Sequence, residues 1–170
     1  MELTSILKKL QIEELNSMQL DALEKFKNNQ DFVLLSPTGS GKTLAFSLLV
    51  SKLIQTDKTL KTQTLIIVPT RELALQIESF IKKVITGYKI LCVYGGHDTK
   101  IERNALKEAP TIIIGTPGRI IYHLERNYIS INRVGQINTH MVFEEGKLHA
   151  CIYNTGYFPM QITILTTRLQ

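Results

Sequence analysis

Along the first 126 residues, hydrophobic positions switch between helical spacing and short unbroken runs, and each switch marks an element. Leu3 to Leu10 predicts a short amphipathic helix. A second helix is expected from about Ser17 to Lys27. Asn16 is a good N-cap for it, and Gln19 stands three residues later, as in a capping box. Asp31-Phe32-Val33-Leu34-Leu35 is a short apolar run that suits a buried strand. Leu44 to Ile54 reads as a helix, Thr64 to Val68 as a buried strand, and Glu72 to Ile85 as a helix. That last helix has Leu73, Ile77, Phe80, Ile81 and Val84 along one face. Ile90 to Tyr94 and Thr111 to Ile114 predict further strands, with helices over Thr99 to Lys107 and Ile120 to about Arg126.

Strands separated by helices at this spacing imply parallel βαβ units. The strands are continuous apolar runs rather than alternating ones, which a sheet covered on both faces requires. The expected fold class is therefore α/β, a parallel sheet with helices on both faces. Ligands in such sheets sit at the carboxyl ends of the strands. No internal repeat or low-complexity segment interrupts the pattern.

Composition narrows the class. The 170 residues are 44% hydrophobic and 21% charged, which excludes wholesale disorder and fits one globular domain. The longest apolar stretches, such as Leu65-Ile66-Ile67-Val68, are too short to span a membrane. Met1-Glu2-Leu3-Thr4 is not a basic, apolar leader, so no secretory signal is expected. Cys92 and Cys151 lie far apart without metal-ligand spacing, which fits a reducing cytoplasm. The net charge of +5 favours anionic partners such as nucleic acid. It is unevenly spread, because residues 127–170 hold only two of the 15 acids, Glu144 and Glu145.

Ser36-Pro37-Thr38-Gly39-Ser40-Gly41-Lys42-Thr43 lies between a predicted strand and a predicted helix. It resembles the phosphate loop G-x-x-x-x-G-K-[ST], with Ser36 in place of the first glycine. Gly39 and Gly41 let successive N–H groups turn inward on phosphate oxygens, and the helix adds its positive dipole end. The Lys42 ammonium can reach the β- and γ-phosphates, and the Thr43 hydroxyl can hold Mg²⁺. The pattern predicts a nucleoside triphosphate site without choosing the reaction.

Three more loops follow predicted strands: Pro69-Thr70-Arg71-Glu72-Leu73-Ala74, Gly95-Gly96, and Thr116-Pro117-Gly118-Arg119. Free N–H groups at a helix start, with an arginine in two of the loops, suit the phosphate backbone of a nucleic acid. Strand stops, helix caps and surface ion pairs are the alternative roles for the same residues.

In this order and spacing the motifs resemble those of the DEAD-box RNA helicases of superfamily 2. The resemblance runs from about Leu10 to Val134 and implies the first RecA-like, P-loop NTPase lobe of such an enzyme. It implies ATP and Mg²⁺ as cofactors. It assigns Ser36 to Thr43 to motif I, Pro69 to Ala74 to motif Ia, Gly95-Gly96 to the GG motif and Thr116 to Arg119 to motif Ib. The last three would grip single-stranded RNA by its backbone, without sequence preference. Gln19 would be the glutamine of the Q motif that reads adenine, beside its capping role. The family's upstream aromatic partner for adenine has no counterpart, since the first aromatic is Phe26.

The resemblance stops after Ile131-Asn132-Arg133-Val134. Motif II, Asp-Glu-Ala-Asp, is expected near residue 140, where its acids would hold Mg²⁺ and polarise water. The chain there reads Gly135-Gln136-Ile137-Asn138-Thr139-His140. The nearest acid pair is Glu144-Glu145, about four residues late, and either a displaced catalytic pair or two solvated surface acids. The division expected is a lobe over 1–134 and a divergent tail over 135–170, with a gap in the sheet where the motif II strand belongs. A shift of reading frame near codon 134, or a decayed gene, would produce both the loss of the match and the loss of acids. Ile162 to Thr167 only loosely matches the strand before the family's Ser-Ala-Thr motif. The second lobe, with an arginine finger worth about 10³ to 10⁵ in rate in P-loop NTPases, is not in these residues. ATP-dependent RNA unwinding, nucleotide or RNA binding without turnover, and a P-loop ATPase acting on DNA remain open functions.

Overall fold

The computed structural model describes residues 3–27, 32–37, 39–54 and 62–129 in full, and residues 137–144 and 147–153 as backbone strands. The chain runs α1 (Leu3–Leu10), α2 (Ser17–Lys25), β1 (Phe32–Leu34), α3 (Lys42–Leu53), β2 (Thr64–Ile67), α4 (Arg71–Val84) and β3 (Ile90–Val93). It continues with α5 (Thr99–Lys107), β4 (Ile112–Gly115), α6 (Pro117–Glu125), β5 (Ile137–Glu144) and β6 (Lys147–Tyr153). Every element expected before residue 126 is present. α6 begins three residues earlier than periodicity indicates, because Pro117 occupies its first turn, where a missing N–H removes no hydrogen bond.

The strands form one sheet in the order β1-β6-β5-β2-β4-β3. β5, β2, β4 and β3 are mutually parallel. β6 is antiparallel to both β5 and β1. Two reversals cancel, so β1 points the same way as β2 to β5, and their carboxyl ends share one edge. The expected gap is filled: β5 pairs with β2 through Ile137 to His140, and β6 bridges β5 to β1.

Alternate residues of the central strands face opposite ways, and both faces are buried. Ile66, Ile112, Ile114 and Cys92 pack with α1 to α4 through Ile6, Ala22, Leu44, Phe46, Ala74, Ile77 and Ile81. Leu65, Val93 and Ile113 pack on the other face against Leu106 of α5 and Ile120 of α6. That two-sided burial is why β2 and β4 read as unbroken apolar runs. α3 is covered all round from Leu44 to Val50, so it shows no polar face. β1 is less covered than its apolar run implied, with Val33 55% exposed.

Candidate functional site: four loops on one sheet edge

The loops after β1, β2, β3 and β4 all leave the shared carboxyl edge. The first is the loop expected to hold phosphate, from Ser36 to Thr43. Gly41 adopts φ 85° in the left-handed region and caps α3. A β-carbon there would lie 2.4 Å from Gln19 Nε2, so the position admits only glycine without displacing Gln19. Gly39 is also left-handed, at φ 83°, but stands in open space. Ser36 Oγ donates to Ser40 Oγ at 2.7 Å and closes the loop across its base. Thr43 stands in the first turn of α3, and Thr38 lies outside the described residues.

Lys42 is buried, and its ammonium donates to the carbonyls of Ser36 and Pro37, both at 2.5 Å. Burial lowers its pKa below the usual lysine value. The charge is held by carbonyl dipoles inside the loop, where an anionic phosphate would satisfy it more fully.

Gln19 braces this loop. Its backbone N–H donates to Asn16 Oδ1 at 3.0 Å, and its Oε1 accepts the Asn16 N–H at 3.0 Å, completing the expected capping box. Its Nε2 donates to the Gly41 carbonyl at 3.2 Å. Asn16 Nδ2 donates to the Ser40 carbonyl at 2.9 Å. The start of α2 is thereby tied to two consecutive residues of the phosphate loop. The second N–H of the Gln19 amide has no acceptor among the described residues.

In the second loop Pro69, Thr70 and Arg71 are exposed. Thr70 caps α4, accepting the Leu73 N–H at 3.3 Å. The Arg71 guanidinium lies over the Tyr94 ring, 4.8 Å from its centroid, which joins this loop to the next. The third loop carries Gly95 and Gly96, both exposed, with Gly96 at φ 86°. The fourth carries Thr116 as the cap of α6, then Pro117, exposed Gly118 and Arg119.

Arg119 is not the free cation its motif suggested. Its side chain is 12% exposed and turns inward, with Nε 2.6 Å from Glu102 Oε2. Its Nη2 donates to the His97 carbonyl. Glu102 is fully buried and also contacts His97 Nδ1 at 3.2 Å and His123 Nε2 at 2.7 Å. The Tyr94 N–H donates to it at 3.2 Å. None of Glu102, His97 or His123 was singled out by sequence. The available signal was position: Glu102 precedes Leu106 by four residues, on the buried stripe of α5, while Ile101 beside it is 57% exposed.

The expected acid pair falls differently. β2 ends at Ile67, which pairs with His140, and β1 ends at Leu34, which is level with Met141 through Ala150. Glu144 closes β5 three residues beyond Met141, about 10 Å farther along the strand at ~3.3 Å per residue. Glu145 lies outside the described residues, as does Ile162 to Thr167. No acid of β5 is level with the ends of its neighbours.

The family model for the DEAD/DEAH box helicase matches residues 16–152. The chain belongs to the DEAD/DEAH box helicase family. The match passes residue 134 and takes in β5 and most of β6. Similar members include the DEAD-box ATP-dependent RNA helicase CshA of Geobacillus kaustophilus, 33% identical over 78% of this chain and 29% of that protein. The ATP-dependent RNA helicase DeaD of Escherichia coli is 35% identical over 72% of this chain and 20% of its own length. The crystal structure of a DEAD box protein from Methanococcus jannaschii superposes with a TM-score of 0.63 at 26% identity, over 76% of this chain and 36% of that one. This family member therefore has the RecA-like fold and spans less than a third of the curated relatives it matches. Among the described residues no helix is long and apolar enough to cross a membrane.

Proposed function

We propose that this chain is the ATP-binding and RNA-binding N-terminal lobe of a DEAD-box ATP-dependent RNA helicase. The shared carboxyl edge carries the proposal. Strand direction brings four loops to one rim, the phosphate loop on the β1 side and the three backbone-gripping loops over β2, β4 and β3. Lys42 and the N–H groups from Gly39 to Thr43 hold the triphosphate. Thr43 is the Mg²⁺ ligand, and the spare N–H of Gln19 reads the adenine.

The RNA half gains support from two glycines that the fold does not require. Gly95 and Gly118 lack positive φ, and a β-carbon at either would meet nothing within 4 Å. Gly118 stands in the first turn of α6, where glycine gains nothing over alanine. A close-lying backbone ligand such as a sugar–phosphate chain explains both. Register leaves Glu144 past the sheet edge, so these residues alone are proposed to bind nucleotide and RNA with little turnover. Hydrolysis and unwinding belong to the lobe joined to a second one.

The test pairs ATP-dependent thermal shift with oligouridylate binding on the purified 170-residue chain. ATP with Mg²⁺ should raise Tm, and Lys42→Ala should abolish the rise. A surviving shift in Lys42→Ala would show that the phosphate site has been misplaced. Tighter binding to oligodeoxythymidylate than to oligouridylate would favour the DNA reading.

A further inference from the structure

The Glu102 carboxylate divides its two oxygens between two loops. Oε1 faces the loop after β3: it accepts the Tyr94 N–H at 3.2 Å and lies 3.2 Å from His97 Nδ1. Oε2 faces α6: it lies 2.6 Å from Arg119 Nε and 2.7 Å from His123 Nε2. A carboxylate only accepts, so His123 donates to Glu102 from Nε2, and its Nδ1 is buried without a hydrogen-bond partner among the described residues. Arg119 closes the ring by donating to the His97 carbonyl. β3 and β4 are pressed together beneath it, since a β-carbon on Gly115 would lie 2.6 Å from the Val93 carbonyl oxygen.

We propose that Glu102 is the positioning residue of the RNA site: it locks the Gly95-Gly96 loop and the Thr116–Arg119 loop into one preformed surface. The inference rests on the RNA-binding reading above. Glu102 itself is fully buried, out of reach of a ligand on the surface. Its effect passes through Tyr94, His97 and Arg119. Preformed donors lose less freedom when a backbone docks, so the lock raises affinity without adding a contact. The other role open to the pair is opposite in sign. If Arg119 were the gripping cation, Glu102 would be its restraint, and removing the negative charge would free Arg119 for phosphate.

The two roles separate in one experiment on the whole chain. Fluorescence anisotropy with labelled oligouridylate measures RNA affinity, and ATP-dependent thermal shift reports the nucleotide site. Glu102→Gln keeps the side-chain volume and removes the charge. It should weaken RNA binding about tenfold and leave the ATP-dependent shift unchanged. His97→Ala removes only one partner, on a half-exposed side chain, and should fold even if Glu102→Gln does not. It should weaken RNA binding about threefold. Unchanged or tighter RNA binding by Glu102→Gln overturns the proposal, as does full affinity in His97→Ala. A wild-type chain that shows the ATP shift but binds no RNA would instead sink the RNA-binding reading and this inference with it.

Discussion

Replacing Gly41 by alanine perturbs backbone and side chain together. The backbone holds φ 85°, where a β-carbon costs about 1–2 kcal/mol. The new methyl would also stand 2.4 Å from Gln19 Nε2, the far end of a flexible side chain that can swing aside. Swinging breaks its bond to the Gly41 carbonyl, worth about 1 kcal/mol, and opens its half of the capping box, worth about as much again. The expected total is about 3–4 kcal/mol, large against a typical stability of about 5–15 kcal/mol. Gln19→Ala alone loses the same two bonds and should cost about 2 kcal/mol. With Gln19 already truncated, Gly41→Ala has nothing to displace and should add only the backbone part. Urea unfolding of the four proteins measures this as a double-mutant cycle, with an expected coupling of about 2 kcal/mol. If the two costs add within about 0.5 kcal/mol, the Gln19 amide does not brace the phosphate loop.

Gly118→Ala should leave stability unchanged or raise it by less than about 1 kcal/mol while reducing oligouridylate affinity, because the helix start gains a little propensity and the ligand meets a methyl group. Equal or tighter RNA binding in that variant would remove the close-approach argument. Burial pushes the Cys92 thiol up to about 12 from an ordinary 9.0, with the charge of Glu78 adding to the effect. The unfolded chain then releases this proton first as pH rises. The contribution of Cys92 to stability is complete below pH 9.0 and is lost between there and about 12. The slope approaches about 1.4 kcal/mol per pH unit at a full one-proton difference. Cys92→Val should flatten that part of the stability–pH curve, and identical curves would show that the thiol is not desolvated.

What the sequence determined by itself was local. Asn16 and Gln19 announce a capping box because the bonds join residues three apart, and the structure contains both. The unbroken apolar runs of β2 and β4 require cover on both faces, and both faces are covered. The glycine pattern before Lys42 predicts a tight loop because backbone conformation is a property of each residue, and Gly39 and Gly41 are both left-handed. Tertiary structure decided what depends on distant partners. Glu102 and Arg119 lie 17 positions apart, and only the packing of α5 and α6 over β3 and β4 turns Arg119 from a surface cation into part of a buried ion pair. Gln19 and Gly41 are 22 apart, so the brace beneath the phosphate loop leaves no periodic trace. β5 fills the sheet with Ile137–Glu144 although no motif marks it, since backbone pairing needs only extended chain in register. The sequence shows the acid pair coming late, and the register shows by how much Glu144 passes the edge where the loop after β1 begins.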